Sequence, residues 1–575
     1  MDVRSQFFLG ALLVFAASHL CNAENEKLQV ATGKGVVQGH YLNSRGGKEF
    51  VAFQGIPYAK PPLGKLRFKP PQPAEPWEGV LNATQDSSIC VQRNIYMGGT
   101  DVEGQEDCLY LNVYTPELPG GGGEARPRPV MVWIHGGGWL SGGGILGFYS
   151  PAHLMDRDVV LVTFNYRLGF LGFISTGDKV CPGNNGMKDQ VTALRWVRDN
   201  IAAFGGDPNS VTIFGQSAGG ASVHYHVISP MSRGLFHRAI SMSGSAFCPW
   251  SFAPGGTSKH QTEKLAALLS CPTDSSESLM ACLEKKDAYD IIGTDLAFTE
   301  WDWHPHVPFR PVIESEVPDG EEAFLAKDPR VAVAQKDIAP VPWMTGLTSA
   351  DGALLAVGIF QDEKLLKELN DDFDRIAPII LFYRNTSNSV DEITKKVREF
   401  YLGEQPIDSN AVYEVVDMFT DGFFTAGLDE AVKAHATANV APVYYYVFDY
   451  RGTHTYASFV GDATLNDYGV CHGDDLLYLF PFGHFFPGII PTEDDEKVVD
   501  ILTTLWSNFA RSGNPTPEAT DLIPEQWQPA TTGEQNYFHI SSEVFASTDL
   551  LRERAEFWAS LPIRDKYLTA VKDEL

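Results

Sequence analysis

Five residues, Gly215-Gln216-Ser217-Ala218-Gly219, constrain the fold of this chain more than any others, because of what flanks them. Before them, Val211 to Phe214 reads as a strand. From about Ala218 onward the pattern reads as a helix. A serine caught between a strand and a helix sits on a sharp turn, and the glycines on either side let the backbone pack where a Cβ would collide. Such a turn forces the hydroxyl out above the edge of the sheet.

The same alternation recurs along the chain. Val130 to Ile134 and Val159 to Phe164 are continuous apolar runs suited to strands buried on both faces. A helix is predicted from about Met187 to Phe204, with Val191, Leu194, Trp196, Val197 and Ile201 at helical spacing and Gly205-Gly206 ending it. Further strands are predicted near Ala239 to Met242 and at Val443 to Phe448, and further helices at Val498 to Ala510 and Leu550 to Leu561. This pattern predicts an α/β fold whose central, mostly parallel sheet carries helices on both faces. With 575 residues, a prior of about 150 per domain would suggest about four domains. Neither an internal repeat nor a Pro/Ser-rich linker divides the chain, and the four consecutive glycines ending at Gly123 read as a surface loop. The expectation is one domain over 24–571, with long insertions that form a pocket.

The two ends set a compartment. Arg4, an apolar run of about 11 residues from Phe7 to Ala17, and Cys21-Asn22-Ala23 read as a secretory signal over 1–23, too short for the ~20 residues of a membrane span. No later stretch reads as a span. Lys572-Asp573-Glu574-Leu575 is the tetrapeptide recognised by a KDEL-type retrieval receptor, which predicts the endoplasmic reticulum lumen with some leakage along the secretory route. Loss of Cys21 leaves seven of the eight cysteines, an odd number. Short-range pairing of Cys90 with Cys108 and of Cys271 with Cys282 would staple two loops, by roughly 2 to 4 kcal/mol each. Asn82 and Asn385 begin glycosylation sequons usable in that lumen. The charge, 44 − 73 = −29, repels phosphate backbones and anionic membrane surfaces, so no nucleic-acid partner is expected.

A serine hydroxyl becomes a nucleophile only when a base takes its proton and an acid orients that base, and the resulting oxyanion needs donors. His135-Gly136-Gly137-Gly138 follows a predicted strand and can turn several backbone N–H groups toward one point. The pairs His224/His226 and His304/His306 lack a third ligand and read as packing, so neither metal nor cofactor is expected. Glu493 to Glu496 after Thr492 reads as a capped helix start.

Other segments carry a resemblance. They are Phe53-Gln54-Gly55-Ile56-Pro57-Tyr58-Ala59, Leu66-Arg67-Phe68, Glu106-Asp107-Cys108-Leu109-Tyr110-Leu111-Asn112, Asn165-Tyr166-Arg167-Leu168-Gly169 and Phe204-Gly205-Gly206-Asp207-Pro208. With the serine motif, they make nearly all of the mature chain resemble the type-B carboxylesterases of the α/β-hydrolase fold, nearest to the insect carboxylesterases that include juvenile hormone esterases. The resemblance implies a serine esterase working through an acyl-enzyme. Ser217 would be the nucleophile, Gly137, Gly138 and Ala218 the oxyanion hole, Asp351 the acid and His472 the base. Without it, Asp351 is one of 73 acidic residues and His472 one of 15 histidines. It also implies the two disulfides, leaving Cys181, Cys248 and Cys471 free, buried ion pairs Arg67–Glu106 and Arg167–Asp189, and a Ser243 hydroxyl near the acid. Two positions depart from most relatives, which carry Glu for Asp351 and, in many cases, Glu for Gln216. Juvenile hormone esterases typically share the glutamine.

The resemblance extends to the pocket. The 17 residues between Cys90 and Cys108 contain no Trp of the kind that holds a quaternary ammonium in cholinesterases. Leu354 and Leu355, with Pro305 and Val307, stand where those enzymes are aromatic, and Trp250 is expected to line the acyl side. Aliphatic walls without charge imply a small-molecule substrate that is an uncharged, lipophilic ester, of the broad lipid or xenobiotic kind. Juvenile hormone hydrolysis is the alternative within enzymes. An inactive adhesion or binding relative is the alternative outside them, and such relatives typically lose the serine or histidine that this chain keeps.

Overall fold

Alternation along single strands shows where the sheet lies. In the run Val130 to Ile134, Val130, Val132 and Ile134 join one buried apolar cluster, while Met131 and Trp133 join a second. Successive side chains of a strand point to opposite faces, so both faces of this sheet are covered. The computed structural model describes residues 28–565 apart from 98, 121–125, 439–440, 462–466, 484, 487 and 489. The proposed signal, the terminal tetrapeptide and part of the glycine loop lie outside the described residues.

Eleven strands form the main sheet: β1 (His40–Asn43), β2 (Glu49–Pro57), β3 (Tyr110–Thr115), β4 (Arg128–Ile134), β5 (Val160–Phe164), β6 (Gly206–Gln216), β7 (Arg238–Met242), β8 (Trp343–Thr348), β9 (Val443–Phe448), β10 (Asn536–Ile540) and β11 (Val544–Thr548). Their spatial order is β11-β10-β9-β8-β7-β6-β4-β5-β3-β2-β1. Every pairing from β5 through β10 is parallel, and the strands beyond each end pair antiparallel. The predicted α/β class and mostly parallel sheet therefore stand, with antiparallel margins.

Helices Asn185–Asn200 and Ala218–Ile228 cover one face through Val191, Leu194, Val197, Val223 and Val227. Helix Glu493–Ser512 covers the other through Val498, Ile501, Leu505, Trp506 and Phe509. The first of these helices ends before the predicted Phe204, because residues 201–204 tighten into a 3-10 turn that Gly205 closes at φ 86°. The last begins at Glu493, where the acidic run after Thr492 predicts a capped start, and it carries on through the predicted apolar stretch from Val498. Thr492 Oγ1 accepts from Asp495 N at 3.1 Å while Asp495 Oδ2 accepts from Thr492 N at 2.8 Å. This reciprocal cap holds the first turn, and its four acidic residues suit the positive end of the helix dipole.

Cross-links hold the loops above the sheet. Cys90 is bridged to Cys108 and Cys271 to Cys282. Arg167 and Asp189 form a fully buried, bidentate pair with bonds of 2.7 and 2.6 Å. Arg67 pairs with Glu106 and donates to the carbonyls of Glu284 and Lys286, which ties three distant segments. Cys181, Cys248 and Cys471 are free and buried. Burial pushes the Cys181 thiol up to about 12, that of Cys248 to about 11, and that of Cys471 well above its usual range.

Candidate active site

The chain runs from β4 out to β5 on one side, then returns to β6 on the other side of β4. Such a reversal opens a crevice beyond the carboxyl ends of the strands. Two segments meet there: His135 to Gly138 leaving β4, and Ser217 leaving β6.

Ser217 has φ 60° and ψ −126°, a strained conformation for a residue with a side chain. Its amide donates to Met242 O at 2.8 Å, which pins the turn to the end of β7. A Cβ on Gly219 would lie 2.0 Å from Ile134 O, so only glycine lets the helix start this close to β4. The glycine loop is shaped by left-handed backbone at Gly137 (φ 100°) and Gly138 (φ 61°), and Gly137 O accepts from Leu140 N and Ser141 N. Among the described residues, no acceptor occupies the amides of Gly137, Gly138 or Ala218, so all three remain available to a ligand oxygen. His135 is scaffold. Its ring stacks on Tyr166 at 4.3 Å, and burial lowers its pKa to about 4.

The expected acid and base arrive on neighbouring loops. Asp351 follows β8 and His472 follows β9, and the two loops touch where Ala350 N donates to Val470 O at 3.1 Å. His472 Nδ1 donates to Asp351 Oδ1 at 2.7 Å, and Thr348 Oγ1 donates to the same oxygen at 2.8 Å. Asp351 is fully buried and His472 nearly so. Asp474 clamps the histidine loop by accepting from Cys471 N, Tyr456 N and Thr455 Oγ1 at 2.8, 2.6 and 3.0 Å. Burial outweighs those three bonds and raises the Asp474 carboxyl to about 7. Phe424 lays its ring against His472 at 4.6 Å. Thr348, Asp474 and Phe424 carry no sequence pattern of their own, and only the loop contacts reveal them.

Gln216 reaches the same imidazole, with Nε2 3.0 Å from His472 Nε2. Among the described residues, no hydrogen bond joins Ser217 Oγ to the histidine. Ser243 is buried at the end of β7 in left-handed backbone (φ 47°), and its Oγ finds no partner. Asp351 Oδ2 is likewise unpartnered, so the expected Ser243 hydroxyl makes no bond to the acid.

A hollow of about 90 Å³ opens onto Ser217 and His472. Its walls include Tyr96, Tyr149, Leu354, Tyr456, Phe482 and Phe485, and among the described residues no Asp, Glu, Lys or Arg lines it. Leu354, Val460 and Leu476 supply an aliphatic part of this lining, and aromatic rings supply much of the rest. Tyr96 comes from the loop between Cys90 and Cys108, and Tyr149, Tyr456, Phe482 and Phe485 come from segments not compared by sequence. Leu355 turns into the core, because successive helical residues lie about 100° apart and Leu354 takes the pocket side. Trp250 is packed between Trp139 and Phe423 and donates to Phe423 O, so it backs the site without lining the hollow. Val307 approaches Gly138, while Pro305 and Val307 both line a separate hollow with Arg310. A larger cavity of about 380 Å³, beside Cys248, Arg330 and Trp558, touches none of Ser217, Asp351 or His472.

The HxH pairs are absorbed by packing. His226 bonds Ser232 and Gln190, His224 bonds His435, and His304 and His306 stack with Trp301 and Trp303. Among the described residues, no group of three His, Cys, Asp or Glu side chains is placed to hold a metal ion. Asn82 and Asn385 are both exposed.

A serine on a strand-to-helix turn at the switch point of a sheet of this order is the architecture of the α/β-hydrolases. Within that class, the chain belongs to the Carboxylesterase family, which residues 26–558 match. It is 37% identical to venom carboxylesterase-6 of Apis mellifera over 94% of this chain and 95% of that protein. It is 36% identical to juvenile hormone esterase of Tribolium castaneum over 94% of each. Liver carboxylesterase of Sus scrofa is 36% identical over 92% of each. The protein is a carboxylic ester hydrolase.

Proposed function

We propose that Ser217, His472 and Asp351 perform this hydrolysis, and that the substrates are uncharged lipophilic esters. As His472 Nε2 takes the hydroxyl proton, Ser217 Oγ bonds to the ester carbonyl carbon, and the carbonyl oxygen becomes an oxyanion facing the amides of Gly137, Gly138 and Ala218. The carbon–oxygen ester bond then breaks, and His472 returns the proton to the departing alcohol. Water, deprotonated by the same nitrogen, attacks the acyl-enzyme and releases the acid and the free serine. The observation that carries this reading is the 2.7 Å bond from His472 Nδ1 to Asp351 Oδ1, which leaves Nε2 as the unprotonated nitrogen. An organophosphonate that labels Ser217 in the wild type and nothing in Ser217→Ala supports it, and labelling elsewhere counts against it.

The apolar lining of the hollow, with no charged side chain among the described residues, supports the substrate class. Gln216 supports juvenile hormone hydrolysis as a second reading, whereas the terminal tetrapeptide supports broader hydrolysis within the lumen. Comparing kcat/KM for juvenile hormone, short and long 4-nitrophenyl esters and an acylglycerol separates the two, since a hormone preference of only a few-fold ends the second. We further propose that residues 24–571 act as one domain after removal of 1–23, and that residues 572–575 retain the protein in the endoplasmic reticulum through a KDEL-type receptor. No helix among the described residues is long and apolar enough to cross a membrane. Deleting the tetrapeptide should release the protein to the medium, and unchanged secretion would refute retention.

A further inference from the structure

We infer that Gln216 is a latch on the catalytic imidazole: its side-chain amide holds His472 Nε2 in the resting enzyme, and this bond must break before Ser217 can give up its proton. The inference rests on the assignment of His472 as base. Nδ1–H of the imidazole is committed to Asp351 at 2.7 Å, so in the neutral ring Nε2 carries only a lone pair. A group 3.0 Å from that lone pair has to be a donor, which orients the Gln216 carboxamide with its NH₂ toward the ring.

The rest of the side chain fits this orientation. Gln216 Oε1 lies 3.1 Å from where a Cβ on Gly136 would stand, so the first glycine of the loop leaves room for the carboxamide. Gln216 is itself buried and forms part of the hollow that opens on Ser217. The Ser217 hydroxyl and the Gln216 amide therefore compete for one lone pair, and the amide holds it when the hollow is empty of substrate. A glutamate at this position could not hold that lone pair, because a carboxylate has nothing to donate. An entering ester must displace the amide, after which Oγ takes its place against Nε2. One neutral hydrogen bond corresponds to roughly a two- to ten-fold effect on rate.

Two measurements test the latch. With ¹⁵N-labelled histidine at pH 8.5, the Nε2 resonance of His472 is recorded in Ser217→Ala, where no serine hydroxyl can bond the ring. It should show an accepted hydrogen bond, which disappears in Ser217→Ala/Gln216→Met. An identical resonance in the two proteins overturns the latch. This measurement uses no reaction, so it stands apart from the catalytic assignment. In the second, Gln216→Met should be labelled at Ser217 by a small organophosphonate roughly two- to ten-fold faster than wild type at matched melting temperature. An unchanged or slower rate overturns the latch, with Gln216→Leu as a second variant should the methionine protein fail to fold. If neither wild type nor variant is labelled, the assignment of Ser217 has failed and not the latch.

Discussion

His472 Nδ1 and Asp351 Oδ1 stand 2.7 Å apart although 121 residues separate them in the chain. The contact exists because β8 and β9 are parallel neighbours, so the loops leaving their carboxyl ends emerge side by side. An aspartate, one methylene shorter than glutamate, reaches the ring here. Ala350 N donates to Val470 O and holds the two loops together, and the Thr348 hydroxyl fixes Oδ1.

Asp351→Asn should lower kcat by about 10⁴-fold, because an amide no longer fixes the Nδ1–H tautomer or balances the imidazolium. Labelling of Ser217 by an organophosphonate should slow in parallel. A steady-state assay beside a melting curve checks this, and a loss below ten-fold in a folded variant would exclude Asp351 as the acid.

The bridge between Cys90 and Cys108 closes a loop that carries Asn94 and Tyr96, both of which line the hollow above Ser217. Replacing both cysteines by alanine should cost about 2 to 4 kcal/mol of stability and raise KM for lipophilic esters more than it lowers kcat. Chemical unfolding and initial-rate kinetics on the same preparation read both effects.

Asp474 gives a pH signature. Its carboxyl is raised from an ordinary value near 3.8 to about 7 in the folded protein, so between about pH 4 and 7 the folded state holds a proton that the unfolded chain has lost. Stability from this group is therefore present below about pH 4 and falls as the pH rises toward 7, by at most about 1.4 kcal/mol per pH unit. Urea unfolding at pH 4.5, 5.5 and 6.5 should show this downward component in wild type, and Asp474→Asn should lack it.

Asp189→Asn strands the Arg167 guanidinium without a counter-charge in a site with no access to water. The expected loss is about 3 to 5 kcal/mol, seen as a lower melting temperature or as failure to accumulate folded protein. A change under 1 kcal/mol would show that the pair is not closed to solvent.

How much of this was legible in the sequence depended on whether the signal was local. The turn at Ser217 could be read directly, because its strand, glycines and helix are contiguous, and Val443 to Phe448 was placed to the residue. Asp351 and His472 could be read only through family resemblance, since nothing local marks one carboxylate or one imidazole for a contact between loops. The aromatic lining was missed because Tyr96, Tyr149, Tyr456 and Phe482 come from separated segments that share no period. Leu355 was misplaced for the opposite reason: the family resemblance put it in the pocket beside Leu354, and helix geometry divides such neighbours between pocket and core.

The three unbridged thiols acquire a further meaning if the chain matures where disulfides form. Each is sealed in the interior with its thiolate suppressed, and one of them, Cys471, directly precedes the proposed base His472. A thiol that neither ionises nor meets solvent exchanges with no disulfide. The hazard of these three unbridged cysteines is thus confined to the interval before the core closes. From then on, oxidants around the enzyme have no purchase beside His472.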